Sequence, residues 1–416
     1  MKRPSPSWQR RAFLVFLSQS ITLFGSTLSQ MAIVWYLTLD TTSGAWVAAA
    51  MVCNTLPQCL LSFPGGVWAD RYAKKPLILG ADGAIAGITL VTLPLVSVGS
   101  PPRGLLLLLL VLRSLGAGIQ TPAVNALIPQ LVPPADRMQY NGYFASLQGV
   151  AQFLAPAVAG LLMTWFPLGA ALMADILTAL LGMGLFAWVS LPAERDSKPR
   201  NASTTIRETL SHQGIRPVLA VYGCFIALTV PSGYLAQLLA ARVYGEHYGI
   251  LTAVELAGFA GMCLGGLVMG HFSGRIGSWR ILAGFLALFG GLSAVMGWVD
   301  HFPLYLCLMA AFGVALTAVQ TTITTLLQEI APPDGLGKAF GLLSACYAGA
   351  LPLGMAVFGP MADVIPLPCL MTLAGVLLLG IAGKNIGQTL AKIWYNETLQ
   401  NLWACPLTAE VLWIIH

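Results

Sequence analysis

The chain has 416 residues, of which 57% are hydrophobic and only 9% charged, against about 25% charged in soluble domains. Apolar runs of about 20 residues, long enough to cross a hydrocarbon core as helices, recur from end to end and exclude a soluble globular domain. The net charge of +5 does not point to nucleic acid, because the basic residues sit in short loops and not on one face.

In chain order, the first stretch, MKRPSPSWQRRAFLVFLSQSITLFGSTL, has some features of a secretory signal. Its apolar run extends from about Ala12 to Leu37, longer than the ~7–15 residues of a cleavable core, so it reads as an uncleaved first helix. The pattern predicts an all-α integral membrane protein of twelve transmembrane helices in two six-helix pseudo-repeats. Six lie near 12–37, 44–68, 76–98, 104–126, 143–166 and 168–190, and six near 217–241, 248–272, 279–299, 303–327, 339–361 and 366–383. The expected organisation is an N-terminal half at 1–190, a cytoplasmic linker at 191–216, a C-terminal half at 217–383 and a tail at 384–416. The tail changes character abruptly. It reads either as an interfacial amphipathic segment or as a terminus altered by a shifted reading frame.

Charge orients this arrangement. With the N- and C-termini cytoplasmic, all 21 basic residues fall in inside segments except Arg103, Arg113 and Arg242, as the positive-inside rule requires. The eight cysteines are scattered through apolar segments without a CxxC pair, so they read as small hydrophobes and not as a disulfide frame or metal site. The halves also echo one another. Pro133, Pro134 and Gly142 match Pro332, Pro333 and Gly341 in spacing, and GGLVMGHFSGRIGSWRIL (265–282) weakly repeats GGVWADRYAKKPLILGADG (65–83). Two six-span halves in parallel repeat are one plan of membrane transporters.

The stretch 65–83 concentrates charge in a chain that avoids it. Lys74 and Lys75 can be explained by topology alone, but Asp70 contributes nothing to orientation. It follows Gly65 and Gly66, which permit close helix approach, and a carboxylate at such a seam can pair with a cation or cap a helix N-terminus. Gly66, Asp70, Arg71, Lys74 and Lys75 resemble the G-x-x-x-D-R-x-x-[KR]-[KR] loop between helices two and three of the major facilitator superfamily, a resemblance covering about residues 10–383. It implies a gating latch against the end of helix eleven, around Gly337 to Phe340. The C-terminal echo has His271 and Phe272 where Asp and Arg would be expected, so the latch is lopsided.

RSLGAG (113–118) resembles the family's helix-four motif R-x-x-G-x-G. AQFLAPAVAG (151–160) resembles a loosened helix-five motif of its antiporters, with Ala151, Ala155 and Ala159 in place of glycines and Pro156 and Gly160 retained. Pro156 and Gly160 read as a helix-five hinge or as generic packing. Finer features, such as QMAIVWYLT (30–38) and TPAVNALIPQLVP (121–133), look most like bacterial macrolide-efflux-type exporters. The resemblance implies a secondary exporter in the bacterial inner membrane, acting as a monomer on a bulky, largely apolar compound by proton antiport, with no cofactor. Its alternative is export of an endogenous metabolite, siderophore-like or lysolipid, on the same scaffold. An intramembrane enzyme is disfavoured, since HExxH and GxGD patterns do not occur, and the lack of a P-loop argues against ATP as the energy source.

Asp82, Arg113, Asp175 and Glu255 fall within spans. Each costs at least ~2.5–3.5 kcal/mol there unless paired or wet, so function is the default hypothesis. Arg113 needs a partner and could hold a carboxylate by two bonds of its planar fork. Asp175 is nearer in depth and Asp82 nearer the charged loop, and the choice stays open. A proton-exchanging carboxylate is expected among Asp82, Asp175 and Glu255. Glu255 is the first choice, because helix eight lines the seam between halves in this family and no basic residue precedes Arg275 on that helix. A static hydrogen bond is the other reading for Asp82 and Asp175. Glu329 and Asp363 read as ordinary interfacial charges. The cavity is expected to be aromatic and polar-neutral, with Gln30, Trp35, Tyr36, Asn54, Gln58, Asn125, Gln148, Tyr234 and Gln237 as candidates.

Overall fold

A computed structural model describes residues 7–97, 99–133, 136–191, 214–272, 277–330 and 336–383. Most of the expected linker and all of the tail at 384–416 therefore lie outside the described residues. Within lipid every backbone polar group must be satisfied inside its own segment, which turns each apolar run into a helix. The first six are α1 (Ser7–Thr41), α2 (Gly44–Arg71), α3 (Lys74–Ser97), α4 (Arg103–Leu131), α5 (Arg137–Trp165) and α6 (Leu168–Trp188). After the linker come α7 (Ile215–Tyr244), α8 (Tyr248–Phe272), α9 (Ser278–Met296), α10 (Phe302–Ile330), α11 (Leu336–Val364) and the short α12 (Leu367–Gly383). Most extend past the expected spans, and Ile215 and Arg216, expected in the linker, belong to α7.

One helix is interrupted. In α7 a π turn occupies Val230–Tyr234, where Pro231 has no N–H to offer an α-helical ladder. The N–H of Leu235 instead reaches back to the Val230 carbonyl at 3.0 Å. Such single π turns are frequent at functional sites.

Successive helices alternate in direction, so the α2–α3 and α4–α5 turns share one end of the bundle with the N-terminus. We call this the basic end and its opposite the sparse end. Within the first six helices α2 packs on α4, α1 on α5 and α6, and α3 on α4 and α6; within the second, α8 and α9 pack on α10 and α7 on α11. The two groups meet along α2–α11, α5–α8 and α1–α7.

The echo between the halves is a packing device. A Cβ on Gly65 would stand 2.5 Å from the Gly118 carbonyl of α4, and one on Gly265 would stand 2.9 Å from the Val314 carbonyl of α10. The second glycine of each pair, Gly66 or Gly266, faces open space. The expectation that Gly65 and Gly66 both serve close approach is thus corrected: successive residues point about 100° apart on a helix, and only Gly65 faces its neighbour.

Among the described residues, three buried apolar clusters fill the interior. One, built around Phe225, Phe289, Tyr305 and Phe312, occupies α7–α12 and takes in Val47 and Ala48 of α2. A second, around Trp35, Leu106 and Leu109, lies toward the sparse end of α1–α6, and a third, around Phe16, Phe144 and Phe186, toward the basic end. Large apolar side chains such as Phe63, Leu177, Trp188 and Leu267 are exposed, as expected where the solvent is hydrocarbon.

Candidate functional site

The polar side chains of the seam are arranged in layers from the sparse end inward. At the surface, Asp363 near the end of α11 caps α2, a helix of the other half. The Ser43 hydroxyl donates to its Oδ2 at 2.6 Å, the Gly44 N–H to Oδ1 at 2.6 Å and the Ala45 N–H to Oδ2 at 3.0 Å. A carboxylate there satisfies otherwise orphaned donors and meets the positive end of the α2 dipole. Arg242, in the last turn of α7, donates to Asp363 at 3.1 Å, to the Ala362 carbonyl at 2.8 Å and to the Thr42 carbonyl at 2.6 Å. Thr42 has φ +46°, uncommon for a residue with a side chain, and this turns its carbonyl toward Arg242. Just inside, Gly44 and Gly359 bring α2 and α11 so close that a Cβ on Gly359 would overlap Ala48. Asp363, read from sequence as an ordinary interfacial charge, joins three helix ends and closes the seam here.

The next layer holds Glu255. The buried Trp35 indole N–H of α1 donates to the Gln237 side-chain oxygen of α7 at 2.7 Å, and the Gln237 amide donates to the Glu255 carboxylate of α8. Among the described residues Glu255 is bonded to no cation, yet it has a partner. The sequence-level signal concerned cations on the same helix, whereas the partner is an amide on the neighbouring one. One turn before Glu255, Thr252 packs on Gly160 of α5, where a Cβ would overlap the Thr252 side chain. Ala155 and Ala159 are also fully buried, and Pro156 lies inside the same helix. The helix-five motif therefore sits in the seam between halves.

Deeper, Arg113 pairs with Asp175. Both are almost completely buried, at 6% and 1% exposure, and Arg113 Nη1 donates to the Asp175 carboxylate and to the Thr89 hydroxyl, the latter at 2.6 Å. Depth decided between the two acids. The two-bond fork is not formed: Nη1 alone meets the carboxylate, and Nη2 faces Ser26 at 3.4 Å. Asp82 lies two helical turns below Thr89 on the same face of α3. It is 1% exposed, and neither of its oxygens has a hydrogen-bond partner among the described residues. The Gln19 amide nitrogen is likewise unpartnered, while its oxygen accepts from Gln120 at 3.2 Å.

Two cavities adjoin these groups. One of about 140 Å³ beside Arg113 is lined by Gln30, Asn54, Gln58, Ser114 and Gln120. The other, of about 350 Å³, lies between the halves and is lined by Thr55, Gln58, Cys59, Ser62, Tyr222, Ser344, Tyr347 and Leu351. Gln58 borders both. The Tyr234 hydroxyl of the π turn meets that of Tyr347 at 3.0 Å. Of the side chains expected to line a cavity, Gln30, Asn54 and Gln58 do so, whereas Trp35, Tyr36, Asn125, Gln148, Tyr234 and Gln237 line neither.

At the basic end the expected latch falls on Asp70 and Lys338, whose side chains lie outside the described residues. Of its other members, Arg71 is exposed and Lys74 buried. Lys75, in the first turn of α3, donates to the Ala187 and Val189 carbonyls at 2.7 and 2.9 Å, capping the end of α6, a role that its place in the sequence does not reveal.

A family model described as the Major Facilitator Superfamily matches residues 15–355. Among similar proteins, Macrolide efflux protein A of Streptococcus pyogenes is 27% identical over 385 residues, covering 90% of this chain and 95% of the relative. The multidrug efflux pump Tap of Mycobacterium tuberculosis is 24% identical over 372 residues, covering 85% and 87%. Among solved structures, a bacterial homologue of the iron transporter ferroportin in its inward-facing state superposes with a TM-score of 0.72 at 17% identity, covering 91% of this chain and 98% of that one. The nucleoside transporter NupG gives a TM-score of 0.72 at 12% identity, covering 91% and 99%.

Proposed function

Because the chain belongs to the major facilitator superfamily, whose family model spans residues 15–355, we propose that it is a secondary exporter. It moves a bulky, largely apolar, drug-like compound out of the bacterial cytoplasm in exchange for protons. The observation that carries this reading is the cavity of about 350 Å³ between the halves, in which hydroxyls, one amide and apolar groups converge and none of the lining residues is charged. Such a wall suits an uncharged, weakly polar ligand and offers nothing to fix a phosphate or a carboxylate. The names of the relatives, a macrolide efflux protein and a multidrug efflux pump, agree with it.

In this reading the basic end faces the cytoplasm and the seal at Asp363 closes the outer side. The cavity lies where α2 and α11 diverge toward the inside. The halves, 1–190 and 217–383, rock about the seam as transporter repeats do, with 191–216 as their tether and Asp70 as the inner latch. Asp82, Asp175 and Glu255 are the carboxylates available for proton exchange: Asp82 and Glu255 are bonded to no cation among the described residues, where apolar surroundings disfavour the charge, and Asp175 becomes available only when its pair with Arg113 parts. The protein works as a monomer in the plasma membrane.

The test is transport by the purified protein in proteoliposomes, with a radiolabelled macrolide and an imposed pH gradient. Uptake that collapses when the gradient is dissipated is expected. Uptake indifferent to the gradient would exclude proton exchange, and no movement of macrolides or other apolar drugs would exclude the export reading.

A further inference from the structure

The chain of hydrogen bonds through Gln237 crosses the seam: Trp35 belongs to the first half, Gln237 and Glu255 to the second. By helical rise all three lie ~9–11 Å from the sparse end, so they form one layer beneath the Asp363 seal. An indole N–H is a donor and nothing else. Its bond to Gln237 at 2.7 Å therefore fixes the amide with its oxygen toward α1 and its nitrogen toward α8, where it donates to Glu255. A residue of one half thus decides which end of an amide an acid of the other half meets.

We propose that Trp35 and Gln237 are positioning residues that tie the protonation of Glu255 to contact between α1 and α7. The inference rests on the reading of Glu255 as a proton-exchanging group. While α1 and α7 touch, the ionised carboxylate keeps a charge-assisted donor. When the sparse end opens, Trp35 withdraws and the amide is free to turn its oxygen to Glu255. A protonated carboxyl satisfies that oxygen by donating to it; an ionised one has no proton to give. Proton uptake accompanies opening at the sparse end and release accompanies closure, the order that exchange for an outgoing compound requires.

The surroundings leave this pair in charge of the acid. Arg242, the cation at this end of α7, is committed to Thr42, Ala362 and Asp363 at the surface. The Tyr234 phenol, within electrostatic reach of Glu255, is bonded to Tyr347. From α5 the neighbour one turn away is Gly160, and from α10 Met309 packs on Gly258. Among the described residues no cation bonds Glu255. The π turn at Val230–Tyr234 ends just before Gln237 and supplies a break about which the end of α7 can turn.

The experiment compares Trp35→Phe, Gln237→Met and Glu255→Gln in proteoliposomes, measuring gradient-driven macrolide transport across a pH series together with gradient-free exchange. Phe keeps an aromatic ring without the N–H, and Met keeps the volume of Gln without the donor; either variant alone decides the matter. Both should retain gradient-free exchange. The pH profile of Gln237→Met should move to higher pH by about one unit or more, the size of one hydrogen bond to a charged group, and Trp35→Phe should move it the same way by less. Glu255→Gln should lose the response to the gradient. Unchanged profiles in the first two, with the response lost in Glu255→Gln, overturn the positioning role and leave the role of Glu255 standing. A gradient response that survives in Glu255→Gln overturns both.

Discussion

The two six-helix groups pack alike and treat buried polarity differently. In both, a glycine of one helix seats on a carbonyl of another, Gly65 on Gly118 and Gly265 on Val314, with the next glycine left free. Yet α1–α6 bury the Arg113–Asp175 pair and the carboxyl of Asp82 inside their own core. In α7–α12 the interior contacts are mostly neutral: Ser232 with Ser293, Tyr234 with Tyr347, and the Tyr305 hydroxyl on the Ala236 carbonyl. The acid within the spans of that half, Glu255, lies at the seam and is bonded by an amide. Repetition therefore resides in shape, which the bilayer demands of every span, while charge has been placed once. A half that contains a buried ion pair cannot lose either partner cheaply, because the remaining charge is stranded. A half held by hydroxyls and a π turn can shift its first helix at smaller cost.

The largest expected effect tests this contrast directly. Arg113→Ala strands Asp175 and should cost about 3–5 kcal/mol in thermal unfolding of the detergent-solubilised protein. Glu255→Gln, whose amide still offers Gln237 an oxygen, should cost about 1 kcal/mol, the net worth of an ordinary hydrogen bond. Equal losses would abolish the distinction between the halves. Next come the glycine pairs. Gly65→Ala and Gly265→Ala should each lose about 1–3 kcal/mol through overpacking, whereas Gly66→Ala and Gly266→Ala should stay within about 0.5 kcal/mol. The same order in both halves would confirm that the echo is one of packing; a large loss at Gly66 alone would assign it a task that its repeat partner lacks.

Asp363→Ala removes a cap on which both groups of helices depend. About 1–2 kcal/mol should be lost, the usual worth of an N-cap, and a cysteine placed at Ala48 should label faster from the sparse end. Stability lost without faster labelling would make Asp363 a structural cap and not a seal. The smallest effect is expected for Lys75→Met, where the cation at the end of α6 contributes about 0.3–1 kcal/mol. A total loss of transport with that small cost would move Lys75 from helix cap to latch.

Much of this arrangement is legible in residue order. The four charges inside spans stand out because their cost is local and large. The proline and small residues of helix five announced tight packing, and Gly160 against Thr252 is where it occurs. Other features left faint signals. The Pro231-Ser232-Gly233 run marks a break in α7 but does not say that a π turn will carry it. Asp363 near the end of an apolar run resembles any interfacial charge until α2 is beside it.

The amino-acid sequence by itself determined twelve apolar helices, their breaks and the location of every charge. Each of these follows from what a short segment can satisfy on its own in hydrocarbon: backbone bonds within the helix, charges at its ends, and a penalty wherever a charge stays inside. Only the tertiary structure decided the partners: Asp175 and not Asp82 for Arg113, Gln237 for Glu255, Asp363 for the start of α2. These contacts depend on how far each helix is rotated about its axis. In a soluble protein an apolar stripe sets that rotation, but a helix between lipid and core is apolar on every side. Its rotation is set by the glycines and hydroxyls of neighbours distant in sequence.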